Sequence, residues 1–295
     1  MPNLKEVKNR IASVVSTQQI TKAMKMVAAA KLRRSQDRIT QMRPYAIKLE
    51  AIIRNLSEAQ SSGDVDTWFS TSREEQRVLI VAISSDRGLC GGFNSNVFRG
   101  VMRLVNEKYH DQFNKGNVVI LPVGRKVAEY FKKRNFQTLH QHAEILNTLS
   151  FNSAAAVADD VMNAFREGKF DKVELVYNEF KNVATQVLQT EQLLPVQLPK
   201  SQKTKSAPVD YIFEPSQEEI IAELLPTALR IQVFKALLDS NAAENGARMT
   251  AMDKATENAG ELLKELKLSY NRSRQAAITK EILEIVGGAE ALKSA

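Results

Sequence analysis

Met249-Thr-Ala-Met-Asp-Lys-Ala-Thr-Glu-Asn-Ala-Gly-Glu-Leu-Leu-Lys-Glu-Leu-Lys-Leu-Ser-Tyr-Asn-Arg-Ser-Arg-Gln-Ala-Ala277 decides how this chain folds. Met249, Met252, Thr256, Ala259, Leu263, Leu266, Tyr270, Ser273 and Ala277 step 3-4-3-4 without a break. That spacing puts every member on one side of an α-helix. The stripe is narrow and rich in small residues, whereas a helix buried in a bundle needs a broad apolar face. Ala259, Ser273 and Ala277 let a second backbone come close. Ile278, Ile282, Ile285, Ala289 and Leu292 continue on an adjacent stripe. Upstream, Ser216 and Glu219 have the spacing of a capping box. Pro226 predicts either a kink or the first residue of a new helical start. The flanking Lys254, Glu257, Glu261, Lys264, Glu265 and Lys267 mix signs, as a solvated face does.

A narrow stripe needs a partner, and residues 1–57 supply one. Leu4, Val7, Ile11 and Val14 step 3-4-3; Ile20, Met24 and Val27 resume after an offset. Leu32, Ile39, Ala46 and Ile53 then recur every seven residues, interleaved with Met42, Leu49 and Leu56. The offset predicts a stutter near Ser16–Gln19, where a supercoil would locally unwind. Pro44 predicts a kink or a local loss of contact. A single helix over this span would be about 85 Å long, too long for an ordinary core. The expected fold is therefore a long antiparallel two-helix coiled coil of the N- and C-terminal helices, with an α/β domain inserted between them.

The inserted part alternates differently. Val78–Ile83 and Val118–Val123 are continuous apolar runs, expected as strands buried on both faces. Asn96–Tyr109, Arg125–Arg134 and Ser153–Glu167 read as amphipathic helices. Phe136–His142 reads as a weaker strand, and Val173–Phe180 and Ala184–Leu193 as an antiparallel hairpin turning at Lys181–Asn182. Strands alternating with helices predict a mostly parallel, Rossmann-like sheet. The boundaries are 1–57 for the first helix, 75–194 for the α/β domain, 195–215 for a polar Pro/Lys linker and 216–293 for the last helix.

Several chemistries find no support. Ser84-Ser-Asp-Arg-Gly-Leu-Cys-Gly-Gly-Phe-Asn94 sits at a strand-to-helix junction, where α/β folds cradle phosphates. It matches neither G-x-G-x-x-G nor G-x-x-x-x-G-K-[ST], so a tight glycine turn is the better reading. His140 and His142 have no Cys or carboxylate cluster to complete a metal site and are expected on an edge strand. Cys90, the single cysteine, has no His placed to activate it and excludes an intrachain disulfide. No nucleophile–base–acid set is visible. No catalysis, cofactor or metal is expected of the isolated chain.

Charge is concentrated instead. Residues 1–57 hold twelve Lys/Arg against three Asp/Glu, and residues 246–295 hold eight against seven. The total is +7, which leaves the middle at −3. Lys22, Lys25, Lys31, Arg33, Arg34 and Arg38 lie on successive helical turns, a one-sign stripe that asks for an acidic protein or a nucleic acid. The absence of interleaved aromatics weighs against nucleic acid. The longest apolar runs are far too short to span a bilayer, so a soluble chain is expected.

Four blocks resemble the gamma subunit of the F-type rotary ATP synthase. They are Ile20-Thr-Lys-Ala-Met-Lys-Met-Val-Ala-Ala-Ala-Lys-Leu32, Ser84–Asn94, Ala247-Arg-Met-Thr-Ala-Met-Asp-Lys-Ala-Thr-Glu-Asn-Ala259, and the long stretch Asn271–Leu292. The resemblance implies a central rotor shaft inside a hexamer of alpha and beta subunits, seated on a membrane ring of c subunits beside an epsilon subunit. It implies beta-subunit contacts for Lys22, Lys25, Arg33, Arg34, Arg274, Gln275 and Thr279. It implies an apolar bearing at Ile282, Ile285, Val286 and Leu292, and ring or epsilon contacts for Tyr211 and Glu214. The long Cys-containing insertion of the chloroplast branch is absent, which argues against thiol control. The lack of an apolar leader favours a bacterial protein at the cytoplasmic face of the plasma membrane. The alternatives are a coiled-coil scaffold that never turns, or a nucleotide-dependent enzyme using the Asp86–Asn94 loop.

Overall fold

The computed structural model describes residues 4–59, 69, 73–139, 142, 145–183, 185–196 and 217–293. The chain divides into two compact units, residues 29–248 and residues 1–28 with 249–295.

The larger unit is organised by strand β1 (Val78–Ile83), whose six residues are all buried. It pairs in parallel with β2 (Val118–Val123) on one side and β4 (Lys172–Phe180) on the other. β3 (Gln137–Thr138) adds one edge in parallel and β5 (Gln186–Leu194) the other in antiparallel, giving the order β3-β2-β1-β4-β5. Side chains alternate across a strand, so β1 feeds two cores. Val78, Ile80 and Ala82 meet Val97, Val101 and Val105 of α2 (Phe93–Lys108) and Val127 and Phe131 of α4 (Arg125–Lys132). Leu79, Val81 and Ile83 share the opposite core with Val157, Val161 and Phe165 of α5 (Phe151–Arg166). Leu229, Val233 and Leu237 of α6 (Gln217–Lys293) join that second core.

Local chemistry sets the element ends. Ser150 caps α5, its Oγ accepting from the Ser153 amide, and Ser153 reciprocates to the Ser150 amide. Gly124, at φ +102°, is required where β2 passes into α4, because a Cβ there would sit 2.4 Å from the Ser84 carbonyl oxygen. A short helix α3 (His110–Asn114) follows α2, where the sequence indicated only a connection. The edge strand is shorter than Phe136–His142: its polar residues offer little to bury, and it pairs only with Val119 and Ile120. His142 therefore lies in a turn, and His140 lies outside the described residues.

In this unit α1 (Leu4–Ala59) and α6 also pack on each other. Leu32 and Ile39 meet Leu238 and Ala242. Ser35 Oγ donates to Asn241 Oδ1 at 2.7 Å. Contacts that rise along α1 fall along α6, the antiparallel sense. α1 runs through Pro44 as one helix, with Met42, Ala46 and Leu49 still turned inward. Pro226 lies inside α6, between the buried Leu225 and Leu229, so it does not open a new helix. Ser216 lies outside the described residues.

The smaller unit is the pair of helix segments 4–28 and 249–293. On α6 the residues facing inward are those of the 3-4-3-4 stripe, Met252, Ala259 and Leu263 deepest, and the stripe ends at Ala277. On α1 the buried or half-buried residues are Leu4, Val7, Ile11, Val14, Val15, Gln18, Thr21, Met24, Lys25 and Ala28. This corrects the expected stutter: the 3-4 spacing continues through polar positions, while Ile20 and Val27 face solvent at 58% and 57% exposure. Hydrogen bonds make the substitution tolerable. The hydroxyls of Thr21 and Thr256 lie 2.8 Å apart, and Gln18 Nε2 donates to the Thr256 carbonyl at 3.4 Å.

Candidate partner-contact surfaces

Two helices wound on each other cover only one side of each, and the uncovered sides are the candidate functional surface. In the smaller unit Lys22 is exposed and makes no ion pair among the described residues. Lys25 differs from the reading of a stripe without compensating acids: its Nζ lies 2.5 Å from Asp253 Oδ1 of α6. In the larger unit Arg33 and Arg34 are exposed with no ion pair among the described residues, and Arg38 donates to the Leu149 carbonyl at 3.3 Å.

Farther along α6, Arg274, Gln275 and Thr279 are all exposed, and Thr279 Oγ1 turns back to the Gln275 carbonyl at 2.9 Å. From Ile278 onward every described side chain is exposed, including Ile282 at 54%, Leu283 at 66%, Ile285 at 71% and Val286 at 53%. Five exposed large apolar side chains within residues 278–286 make this stretch a candidate interaction surface. The Leu292 side chain, Tyr211 and Glu214 lie outside the described residues. Ile20 and Val27, which hydrophobic spacing places inward, are also exposed, as is Met26, and all three are additional contact candidates.

The glycine-rich loop is a fastening within the larger unit. Ser85 Oγ donates to the Arg87 carbonyl at 2.6 Å, and the Ser85 amide donates to Asn94 Oδ1 at 3.0 Å. Asp86 accepts from the Arg125 amide at 3.0 Å. Asn178 of β4 donates to the Phe93 carbonyl at 3.1 Å. Phe93 and Cys90 then pack on Ala243 and Ala247 of α6. Arg248 ties the loop down from α6, donating to the carbonyls of Arg87 and Gly88 at 3.2 and 3.4 Å and pairing with Glu244 at 2.6 Å. Burial raises the Glu244 carboxyl, opposed by the Arg248 guanidinium. The crevice where an α/β fold would hold a phosphate is thus filled by the loop's own bonds and by α6. Burial also raises the Cys90 thiol, the wrong direction for a reactive thiolate.

Other polar groups are engaged structurally. His142 Nε2 lies 2.8 Å from Asp160 Oδ2. No group of three His, Cys, Asp or Glu suited to a metal occurs among the described residues. Glu174 accepts from Lys108 at 2.5 Å and from Tyr109 at 2.6 Å, and burial followed by that bond pushes the Tyr109 phenol upward. Among the described residues no helix is long and apolar enough to cross a membrane.

Comparison with known proteins follows the same lines. A family model described as ATP synthase matches residues 3–292. The chain is 56% identical over 296 residues to the ATP synthase gamma chain of Cytophaga hutchinsonii, covering 100% of both. It is 49% identical over 293 residues to the ATP synthase gamma chain of Chlorobaculum tepidum, covering 99% of this chain and 100% of that one. Among solved structures, a chain of the Tetrahymena thermophila mitochondrial ATP synthase central stalk and c-ring matches with a TM-score of 0.56 at 28% identity, over 80% of this chain and 99% of that one. A chain of the Euglena gracilis mitochondrial ATP synthase rotor matches with a TM-score of 0.66 at 20% identity, over 93% and 98%, a likeness of fold. Matched over residues 3–292 by that family model and from end to end by these relatives, the chain belongs to the gamma chain family of ATP synthase.

Proposed function

We propose that this gamma chain is the central shaft of a rotary ATP synthase, coupling proton flow through a membrane ring to ATP synthesis and hydrolysis at the beta subunits. It does no chemistry itself. The observation that carries the reading is the one-sided seam: inward positions are used up holding two helices together, and Lys22, Arg274, Gln275 and the apolar residues 278–286 are left outward. Such a shaft presents different chemistry on its different sides. A surface shifts a partner between states only by its differential affinity for them. Three chemically identical beta subunits around an asymmetric shaft are biased differently, and rotation hands each bias on.

In this reading the exposed cations suit a moving contact. An exposed ion pair is worth about 0–1 kcal/mol, enough to bias an acidic loop of a beta subunit without locking it. Lys22, Arg33 and Arg34 are available for this; Lys25 is shared with Asp253 and serves less. Ile282, Ile285 and Val286, with Leu292, form the turning surface inside the alpha–beta hexamer. Tyr211 and Glu214 would meet the c-ring or the epsilon subunit. The chain acts as a peripheral subunit at the cytoplasmic face of a bacterial plasma membrane, a location supported by its bacterial relatives.

ATP-driven proton pumping by the reconstituted complex tests the assignment. Replacing Arg274 and Gln275 together by Ala should lower pumping or assembly more than Lys22→Ala does. An equal or smaller loss counts against the ranking of contacts. Purified complex should also contain one copy of this chain per three beta subunits; a scaffold that never turns has no reason to keep that ratio.

A further inference from the structure

The larger unit contains a cavity of about 640 Å³ that the shaft does not use. One wall is apolar: Ile39, Met42 and Ala46 of α1, with Leu225 and Leu229 of α6. The other carries three carboxylates, Glu179 of β4, Glu191 of β5 and Asp239 of α6. Two of these are engaged. Glu179 accepts from Gln189 Nε2 at 2.5 Å, and Glu191 accepts from Tyr177 Oη at 2.7 Å and Gln232 Nε2 at 3.3 Å.

Asp239 is not. It is 6% exposed, yet it has no hydrogen bond or ion pair among the described residues. Lys235 of α6 and Arg43 of α1 also line the cavity and act on it through space, without closing to an ion pair. Burial, with Glu179 and Glu191 nearby, pushes its carboxyl up to about 6. Among the described residues Asn178 Oδ1 is the one wholly buried side-chain oxygen without a partner, so the unbonded Asp239 carboxyl opens onto the cavity, where a ligand can reach it. The cavity volume lies in the range of small-molecule sites, which pair apolar walls with a few convergent polar groups.

We propose that this cavity binds a small amphipathic amine, its ammonium group on Asp239 and its hydrocarbon body against Ile39, Met42 and Leu229. Among the described lining residues, three carboxylates against two cations favour a positive ligand and repel an anion. An ammonium brings three donors and no acceptor, matching carboxylate oxygens, which accept. A body of a few carbons gains from the apolar wall, which a fully hydrophilic polyamine does not. The occupant would join α1 and α6 to the β4–β5 edge of the sheet.

Titration calorimetry on the full chain with phenylbutylamine, near pH 7.5, tests the site. Binding should weaken about tenfold or more in Asp239→Asn, the loss expected for one charge-assisted contact. It should be unchanged in Glu284→Gln, an exposed control on the same helix. On the unmodified chain, which avoids any question of folding, binding should weaken as pH falls from about 7.5 to about 5, as Asp239 takes up a proton. Phenylbutanol, neutral and of the same shape, should bind at least about tenfold more weakly at the higher pH. No detectable binding of the amine up to about 10 mM overturns the proposal. So does equal binding of the alcohol, or full affinity in Asp239→Asn.

Discussion

Leu237 and Ala242 of α6 are 0% exposed where the helix lies in the sheet-bearing unit, as are Val78, Ile80 and Ile83 of β1. In the two-helix unit the deepest residues are Ala28 at 2% and Met252 at 4%, and the buried set also includes Thr21 and the small Ala259. One helix thus serves two kinds of interior. Against a sheet with helices on both faces it is enclosed by several elements. Against a single partner helix it keeps one narrow side covered. The lesson is a division of labour: the first arrangement buries enough apolar area to be stable, and the second gives up burial in exchange for surface.

The comparison can be tested from its strongest side to its weakest. Leu237→Ala should cost about 4 kcal/mol, because an enclosed site cannot collapse around the missing atoms. Urea denaturation followed by far-UV circular dichroism measures it, and a loss below about 1 kcal/mol would contradict the enclosed core.

Asp239→Asn should act in the opposite direction. The folded carboxyl sits near 6 against an ordinary 3.8. The folded state therefore holds its proton over a pH range where the unfolded state has lost it, and stability falls as pH rises between those values. Above about 6 the penalty is complete, so the substitution should stabilise the protein by about 3 kcal/mol at neutral pH. Near pH 3 the two proteins should unfold alike. A wild-type midpoint equal to the variant's at neutral pH would refute the unpartnered charge.

Effects in the two-helix unit should be smaller. Thr21→Val keeps the shape but removes one hydroxyl of the pair with Thr256, and should cost about 1 kcal/mol. Amide hydrogen exchange across residues 4–28 reads the change locally. Smallest of all is Ile285→Ala, which should shift thermal stability by less than about 0.5 kcal/mol, since its side chain is 71% exposed and touches no core. The same variant should nonetheless impair proton pumping in the assembled complex. Loss of stability in the isolated chain would mean that this face is internal after all.

Much of this was legible in the residues. The 3-4-3-4 stripe from Met249 to Ala277 is the buried stripe of α6. Val78–Ile83 and Val118–Val123 are strands with the expected bounds, and the β4–β5 hairpin turns where Lys181 and Asn182 stand. Lys22, Arg33, Arg34, Arg274, Gln275 and Thr279 are exposed and Lys25 is half-buried. Reading by apolarity failed on α1 at Ile20 and Val27, while Met24 is half-buried as its spacing indicates. Ile20 and Val27 were assigned inward because they are hydrophobic, yet Gln18 and Thr21 hold those places, each bonded to Thr256.

The difference has a physical cause. Periodicity and continuous β-branched runs are properties of neighbouring residues, so the sequence alone determined the long helices, the buried strands β1 and β2 and the seam of α6, but not the short α3 or the brief edge strand β3. Which side of α1 is covered depends on what stands opposite, and no local pattern reports that. The same holds for Lys25 and its acid Asp253, for Arg248 closing on the Arg87 carbonyl, and for Asp239 stranded beside Glu179 and Glu191. These are pairs far apart in the chain whose energies exist only once folding brings them together, so the tertiary structure alone decided them.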